Sequence, residues 1–210
     1  MAEELGKIER PAAAEFDSAR KLLLVPLLLS YPDAPVEYTE RFDRYWAEVR
    51  EQVERLSLQL GHIDKVFHEM VFAAGDFGVA MLEGFSQSTQ RIVGEKCEQG
   101  ATMVATEDLD LLQEAMDWHR CLLAGLGSPK VARQVADAYR EATQRRYQHI
   151  AQAIDDALGE REVGVIFIAE DNSLQFPDDV QVFYVAPPSL NDIHRWLAEQ
   201  RTAPPPDPAD

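Results

Sequence analysis

The spacing of apolar residues changes period several times along the chain, and each change marks an element. Residues 21–30 (KLLLVPLLLS) are an unbroken apolar run of strand length, closed by Tyr31-Pro32-Asp33. A run without alternation suits a strand covered on both faces. Pro26 has no N–H to give to a ladder, so a bulge or an open side is expected there. Over 38–60 the period becomes helical. Phe42, Trp46, Val49, Val53, Leu56 and Leu60 recur at three and four residues, opposite a face of Arg and Glu, and Gly61 supplies the stop. Residues 62–72 (HIDKVFHEMVF) are strand-like again, with apolar groups on both faces, as in an interior strand.

Gly75-Asp76 then turns the chain into a helix predicted over 77–99, carrying Met81, Leu82, Phe85, Ile92 and Val93. Residues 101–105 read as a short strand. Thr106 is the expected N-cap of a helix running to Leu126, with Glu107 and Asp108 in its first turn. Gly127-Ser128-Pro129 combines a helix stop, a cap and a first-turn proline, so a long helix over 129–158 should fold back on its predecessor. Residues 163–169 (VGVIFIA) and 180–186 (VQVFYVA) are strands. They are joined too closely for a helical crossover, which predicts antiparallel neighbours or a hairpin. Ser189 with Asp192 resembles a capping box for a last helix through Trp196 and Leu197.

Strand and helix thus alternate for most of the length, which predicts an α/β fold: a mostly parallel sheet of about five strands flanked by helices, with a long helical hairpin. With no linker inside residues 18–201, one domain is expected. Residues 1–17 read as a flexible lead-in, and 202–210 (TAPPPDPAD) as a disordered Pro-rich acidic tail.

Charge narrows the partners. Lys plus Arg number 20 and Asp plus Glu 37, a formal −17, which repels phosphate backbones and argues against nucleic-acid binding. The longest apolar run falls far short of the ~20 residues of a membrane span. The N-terminus lacks an apolar signal core, so a cytoplasmic protein without membrane contact is expected. Cys97 and Cys121 stand far apart and form no CxxC, so no zinc ribbon or thioredoxin-type site is expected.

Familiar motifs are incomplete. No GxxxxGK[ST] occurs. Asp76-Phe77-Gly78 spells DFG without the other kinase segments, and His68-Glu69 opens an HExxH whose second histidine is Phe72. His119 and Cys121, two apart on a helix, diverge by roughly 200° and cannot act as a pair. Three groupings remain. Asp76, Glu107, Asp108, Glu170, Asp171 and Asn172 fall where strands of an α/β sheet end, the usual place for a ligand. Among them Asp76, Glu170 and Asp171 offer oxygen ligands suited to Mg²⁺, Mn²⁺ or Ca²⁺. His68 could join this edge as a catalytic proton carrier. The long helix concentrates Arg133, Arg140, Arg145, Arg146 and His149, and Arg145 and His149 share a face, so Arg145, Arg146 and His149 are candidates for an anion or a partner's acidic groups.

The stretch Arg146-Tyr147-Gln148-His149-Ile150-Ala151, with Ile154, Leu158, Val165-Ile166-Phe167-Ile168 and Pro177, resembles the end of TraB-like pheromone-shutdown proteins. In that group an Arg-led helix precedes an apolar strand ending in a GxxH turn, and the resemblance implies metal-dependent hydrolysis. Here the turn is Ala169-Glu170-Asp171-Asn172, with Asn172 in the histidine's place, which implies metal chemistry lost or altered.

Two functional readings follow. The first is a non-catalytic protein acting through self-association or partner or ligand binding. Its proposed homodimer uses the small-residue stripe Val131, Val135, Ala138 and Ala142 of the hairpin. The second is a hydrolase assisted by a divalent metal on Glu170, Asp171 and Asp76, with His68 shuttling the proton.

Overall fold

The computed structural model describes residues 19–202. Five strands, β1 (Arg20–Pro26), β2 (Ile63–His68), β3 (Thr102–Met103), β4 (Val163–Ile168) and β5 (Val180–Tyr184), make one sheet in the order β3-β2-β4-β1-β5. Every adjacent pair is parallel. The helices are α1 (Val36–Leu60), α2 (Gly75–Leu82), α3 (Gln87–Glu98), α4 (Leu109–Leu123), α5 (Pro129–Ala157) and α6 (Pro188–Thr202). The α/β architecture expected from the alternation is therefore present. The lead-in over 1–17 and the tail over 203–210 lie outside the described residues. Thr202, assigned to that tail, is the last residue of α6.

The unbroken apolar runs are explained by two cores, one on each face. Leu23 and Val25 of β1, with Val163, Val165 and Phe167 of β4, meet Tyr45, Trp46 and Val49 of α1 and Leu190 and Ile193 of α6. Leu22 and Leu24, with Ile166 and Ile168, meet Tyr147, Ile150 and Ile154 of α5. Each such side chain contributes roughly 1.5–3 kcal/mol on burial. Gly164 faces α5, where a Cβ would lie 3.1 Å from both Leu22 and Phe67 and 3.2 Å from Leu158. Its bareness lets the end of α5 settle on the sheet. Pro26 is the last residue of β1, beyond the Leu24–Tyr184 end of the pairing with β5, so its missing N–H faces no ladder. The irregular register falls in β2 instead, between Ile63 and Lys65.

Several local expectations are corrected. β4 and β5 are neither antiparallel nor neighbours, because β1 lies between them and both run parallel to it. The 169–179 segment makes the crossover without a helix. Extended, it reaches about 35 Å, ample against the ~20 Å length of a strand. Its Leu174 and Phe176 pack on the α5 face of the sheet in place of a helix.

The helix expected over 77–99 is two helices, because Ser86 caps α3 by accepting the Thr89 N–H at 3.4 Å. The cap of α4 is Asp108, which accepts the Leu111 N–H at 2.9 Å, and not Thr106. The Thr106 hydroxyl accepts the His68 N–H and donates to the Val104 carbonyl, both at 3.1 Å. Helix α4 stops at Leu123, and the left-handed turn belongs to Gly125 (φ 69°) instead of Gly127. Ser128 and Pro129 open α5 as expected. The Ser189–Asp192 capping box does not form: the Ser189 N–H is taken by Glu48 of α1 at 3.1 Å, and Asp192 pairs with Arg195 at 2.6 Å. No helix among the described residues is long and apolar enough to cross a membrane.

Candidate functional site at the carboxyl rim

With all strands parallel, their carboxyl ends share one rim, and the segments after β2, β3 and β4 meet there. At the centre is a buried ionic triad. Arg146 of α5 donates through Nη2 to Glu69 Oε1 at 2.8 Å and through Nε to both carboxylate oxygens of Glu107 at 3.0 Å, and a further Nη2–Glu107 bond closes the pair. The Glu107 side chain is wholly enclosed, and the other two are about nine-tenths enclosed. The spare oxygens are used as well. Glu69 Oε2 accepts the Ala169 N–H at 2.7 Å, and Glu107 Oε1 accepts the Met70 N–H at 3.0 Å. Burial alone would lower the Arg146 pKa, but the bonds and charges of Glu107 and Glu69 outweigh it and raise it. The guanidinium is therefore permanently charged, and the triad carries a net single negative charge when both carboxylates are ionised.

The triad fastens three segments to one another. It joins the segment after β2 (Glu69, Met70), the segment after β3 (Glu107) and the segment after β4 (Ala169) to one side chain of α5. The N–H groups of Thr106 and Glu107 both donate to the Val71 carbonyl, at 2.9 and 3.0 Å. Met70, held between these bonds, has φ 72°, a left-handed conformation unusual for a methionine.

His68 lies just behind this brace and is 0% exposed. Its ring stacks on Phe167 with centroids 5.7 Å apart. Nδ1 meets the Glu69 carbonyl, and Nε2 lies 3.2 Å from Thr89 Oγ1. Burial depresses its pKa to about 4, against the lifting effect of the Glu69 carbonyl, so the ring is neutral at pH 7. It reaches no solvent and faces none of the expected carboxylates.

The other expected residues are brought to the rim but not together. Asp76 sits in the first turn of α2. Glu170 accepts from the Tyr184 hydroxyl at 3.1 Å and pairs with His194 at 2.6 Å. Asp171 lines a groove on the α5 face. Asn172 closes its own turn, donating to the Ala169 carbonyl at 2.6 Å. Among the described residues no three His, Cys, Asp or Glu side chains gather into a group that could hold a metal. In the basic stretch Arg146 serves the triad and Arg145 pairs with Glu114 of α4 at 2.7 Å, while His149 is half-buried. Val135 and Ala142 of the small-residue stripe are already buried within the chain, and Cys121 is exposed.

Two grooves flank the triad. On the α5 side a polar groove of about 1060 Å³ runs from Ala136 to Asp155, walled by the 169–177 segment, with Glu69 and Arg146 in its lining. Its charges are largely neutralised in place: Asp155 pairs with Arg20 at 2.7 Å and Arg140 with Asp137 at 2.9 Å. Over the ends of β2 and β3 lies a smaller apolar groove of about 510 Å³. Met70, Phe72, Met81 and Phe85 form one side, and Leu109, Leu112 and Met116 of α4 the other. No separate signal for it stood in the sequence, since Met70 and Phe72 read as part of an interior strand and Met81 and Phe85 as apolar positions of a helix. The pairing of Glu69 and Glu107 with Arg146 left no local signal at all.

No family model, curated protein or solved structure matches this chain.

Proposed function

We propose that this chain is a binding protein whose apolar groove receives an amphipathic helix from a basic partner protein. The observation that supports it best is the cluster of large apolar side chains left open in one concavity: Phe72 is 41%, Leu109 40% and Met116 37% exposed. A contiguous apolar patch of this kind in a concave surface marks an interaction site. Three methionines, at 70, 81 and 116, supply flexible surfaces that adapt to an incoming side chain. A helix laid in such a groove presents anchors at i, i+3 or i+4, and i+7.

Charge selects the partner. Arg120 at the groove is already paired with Asp117 at 2.5 Å. Asp76 in the first turn of α2, Glu83 at its end and Asp110 in the first turn of α4 have no cationic partner among the described residues, and the chain as a whole carries −17. Lys or Arg beside the apolar anchors would meet this field, which raises association rate and excludes acidic competitors. The triad supports the same role by holding Met70 and the start of α4, one on each side of the groove.

Fluorescence anisotropy with a labelled synthetic helix bearing Leu at i, i+4 and i+7 and Lys on its flanks tests the proposal. The wild-type protein should bind it at least tenfold more tightly than the Phe72→Ser, Met116→Asp double variant, a difference of about 1.4 kcal/mol. The same peptide with Glu in place of Lys should lose a similar factor. Equal binding by wild type and double variant would overturn the reading.

A further inference from the structure

Strand β5 ends the sheet and pairs only with β1 among the described residues. The Val185 N–H donates to the Leu24 carbonyl and the Asp179 carbonyl accepts from the Arg20 N–H, so odd-numbered residues face β1. By alternation, Val180, Val182 and Tyr184 direct their backbone groups outward. The Val180 N–H is satisfied by the Pro177 carbonyl at 3.0 Å. The N–H and C=O groups of Val182 and Tyr184 and the carbonyl of Val180 have no backbone partner among the described residues.

Natural edge strands are blunted by Lys, Pro, bulges or a covering element. Here the edge reads Val-Gln-Val-Phe-Tyr, without any of the first three. On its α5 face burial fades along the strand: Val180 is enclosed, but Val182 is 43% and Tyr184 50% exposed. We propose that this edge pairs with β5 of a second copy of the chain, antiparallel about a two-fold axis at Val182, to give one continuous sheet across a homodimer.

The pattern is self-complementary about that centre. Val182 faces Val182 of the second copy and each Tyr184 lies opposite a Val180, so the two exposed apolar residues of the face find partners. Pairs of an aromatic and a β-branched residue are among the favourable cross-strand contacts. The Val182 residues exchange two backbone hydrogen bonds, and each Tyr184 N–H donates to a Val180 carbonyl. The Val180 N–H stays with the Pro177 carbonyl, so each Tyr184 carbonyl remains with solvent. Of the flanking acids, Asp179 pairs with Arg20 at 2.8 Å and Glu170 shares a hydrogen bond with His194 at 2.6 Å. This lessens the like-charge penalty that an acidic chain otherwise imposes on self-pairing. Residues 1–18 are a less suitable occupant, because their four glutamates and one aspartate against one lysine and one arginine offer no charge match.

Sedimentation velocity across a dilution series of the full chain should show a dimer that strengthens with added salt. Val182→Lys keeps an exposed side chain and should shift the population to monomer while its thermal melt matches that of wild type diluted to monomer, whereas Val182→Thr should retain the dimer. In a Cys97→Ser, Cys121→Ser background, a short bismaleimide should join Val182→Cys chains in pairs and leave Glu51→Cys chains single. A monomer at every concentration overturns the proposal, as does a dimer indifferent to Val182→Lys with no cross-link at position 182. The apolar groove is untouched by these variants, so peptide binding there succeeds or fails independently.

Discussion

Replacing Arg146 by methionine tests the central physical claim about the rim. The substitution retains most of the aliphatic bulk and removes the one cation that two carboxylates share. Glu107 is wholly enclosed and Glu69 nearly so, and both would remain inside. Breaking a buried ion pair by deleting one partner costs about 3–5 kcal/mol, because the surviving charge is uncompensated. These side chains are only about a tenth exposed or less, so little of that loss is relieved by solvent. With about 2 kcal/mol per molar as the urea dependence of a domain this size, the midpoint should fall by about 2 M at pH 7. The loss should itself depend on pH. In Arg146→Met the folded state must hold its carboxylates against burial and mutual repulsion, which raises their pKa above the ordinary value near 4.3. The folded state then binds more protons than the unfolded, so stability relative to wild type recovers as pH falls from 7 towards 5. Adding Glu69→Gln and Glu107→Gln removes both charges while keeping acceptors for the Ala169 and Met70 N–H groups, and should restore most of the loss at pH 7. A variant within about 1 kcal/mol of wild type, or a loss of the same size at pH 5 and pH 7, would refute the reasoning.

Further outcomes follow from neighbouring features. His68 is neutral in the fold with a pKa depressed to about 4 from an ordinary 6.5. The unfolded chain gains a proton first, so this histidine's contribution to stability is full above pH 6.5 and falls by about 3 kcal/mol towards pH 4; urea melts against pH should be shallower over that window in His68→Gln. A Cβ at Gly78 would stand 2.4 Å from the Ala73 carbonyl oxygen. Gly78→Ala should therefore cost about 1–3 kcal/mol, read as a lowered thermal midpoint. Asp108→Ala removes the cap of α4 and should cost about 1 kcal/mol by chemical denaturation, with hydrogen exchange accelerating first in the opening turn of that helix.

Much of the architecture was legible in the chain alone because burial imposes local periods. The stripe from Phe42 to Val53 announced α1, the doubly apolar runs announced β1 and β4, and Ser128-Pro129 marked the start of α5 to the residue. Each of these signals lies within one element or one turn, where sequence spacing and physical spacing are the same thing. Cap choice was already less legible, since Thr106, Glu107 and Asp108 are all chemically able to serve a helix start. Neighbouring elements decided it by claiming Thr106 for His68 and Glu107 for Arg146.

Strand order and the rim belonged to tertiary structure. Nothing near β4 or β5 in the chain says that β1 will come between them, because a crossover needs only enough length, and an extended segment whose leucine and phenylalanine cover the sheet does the work of a helix. Arg146 lies 39 positions from Glu107 and 77 from Glu69, so three charged residues with no local link in the sequence became one enclosed unit. A charge is tolerable inside a protein only beside its counter-charge, and the parallel sheet, by bringing the ends of β2, β3 and β4 to one rim, provided that meeting place.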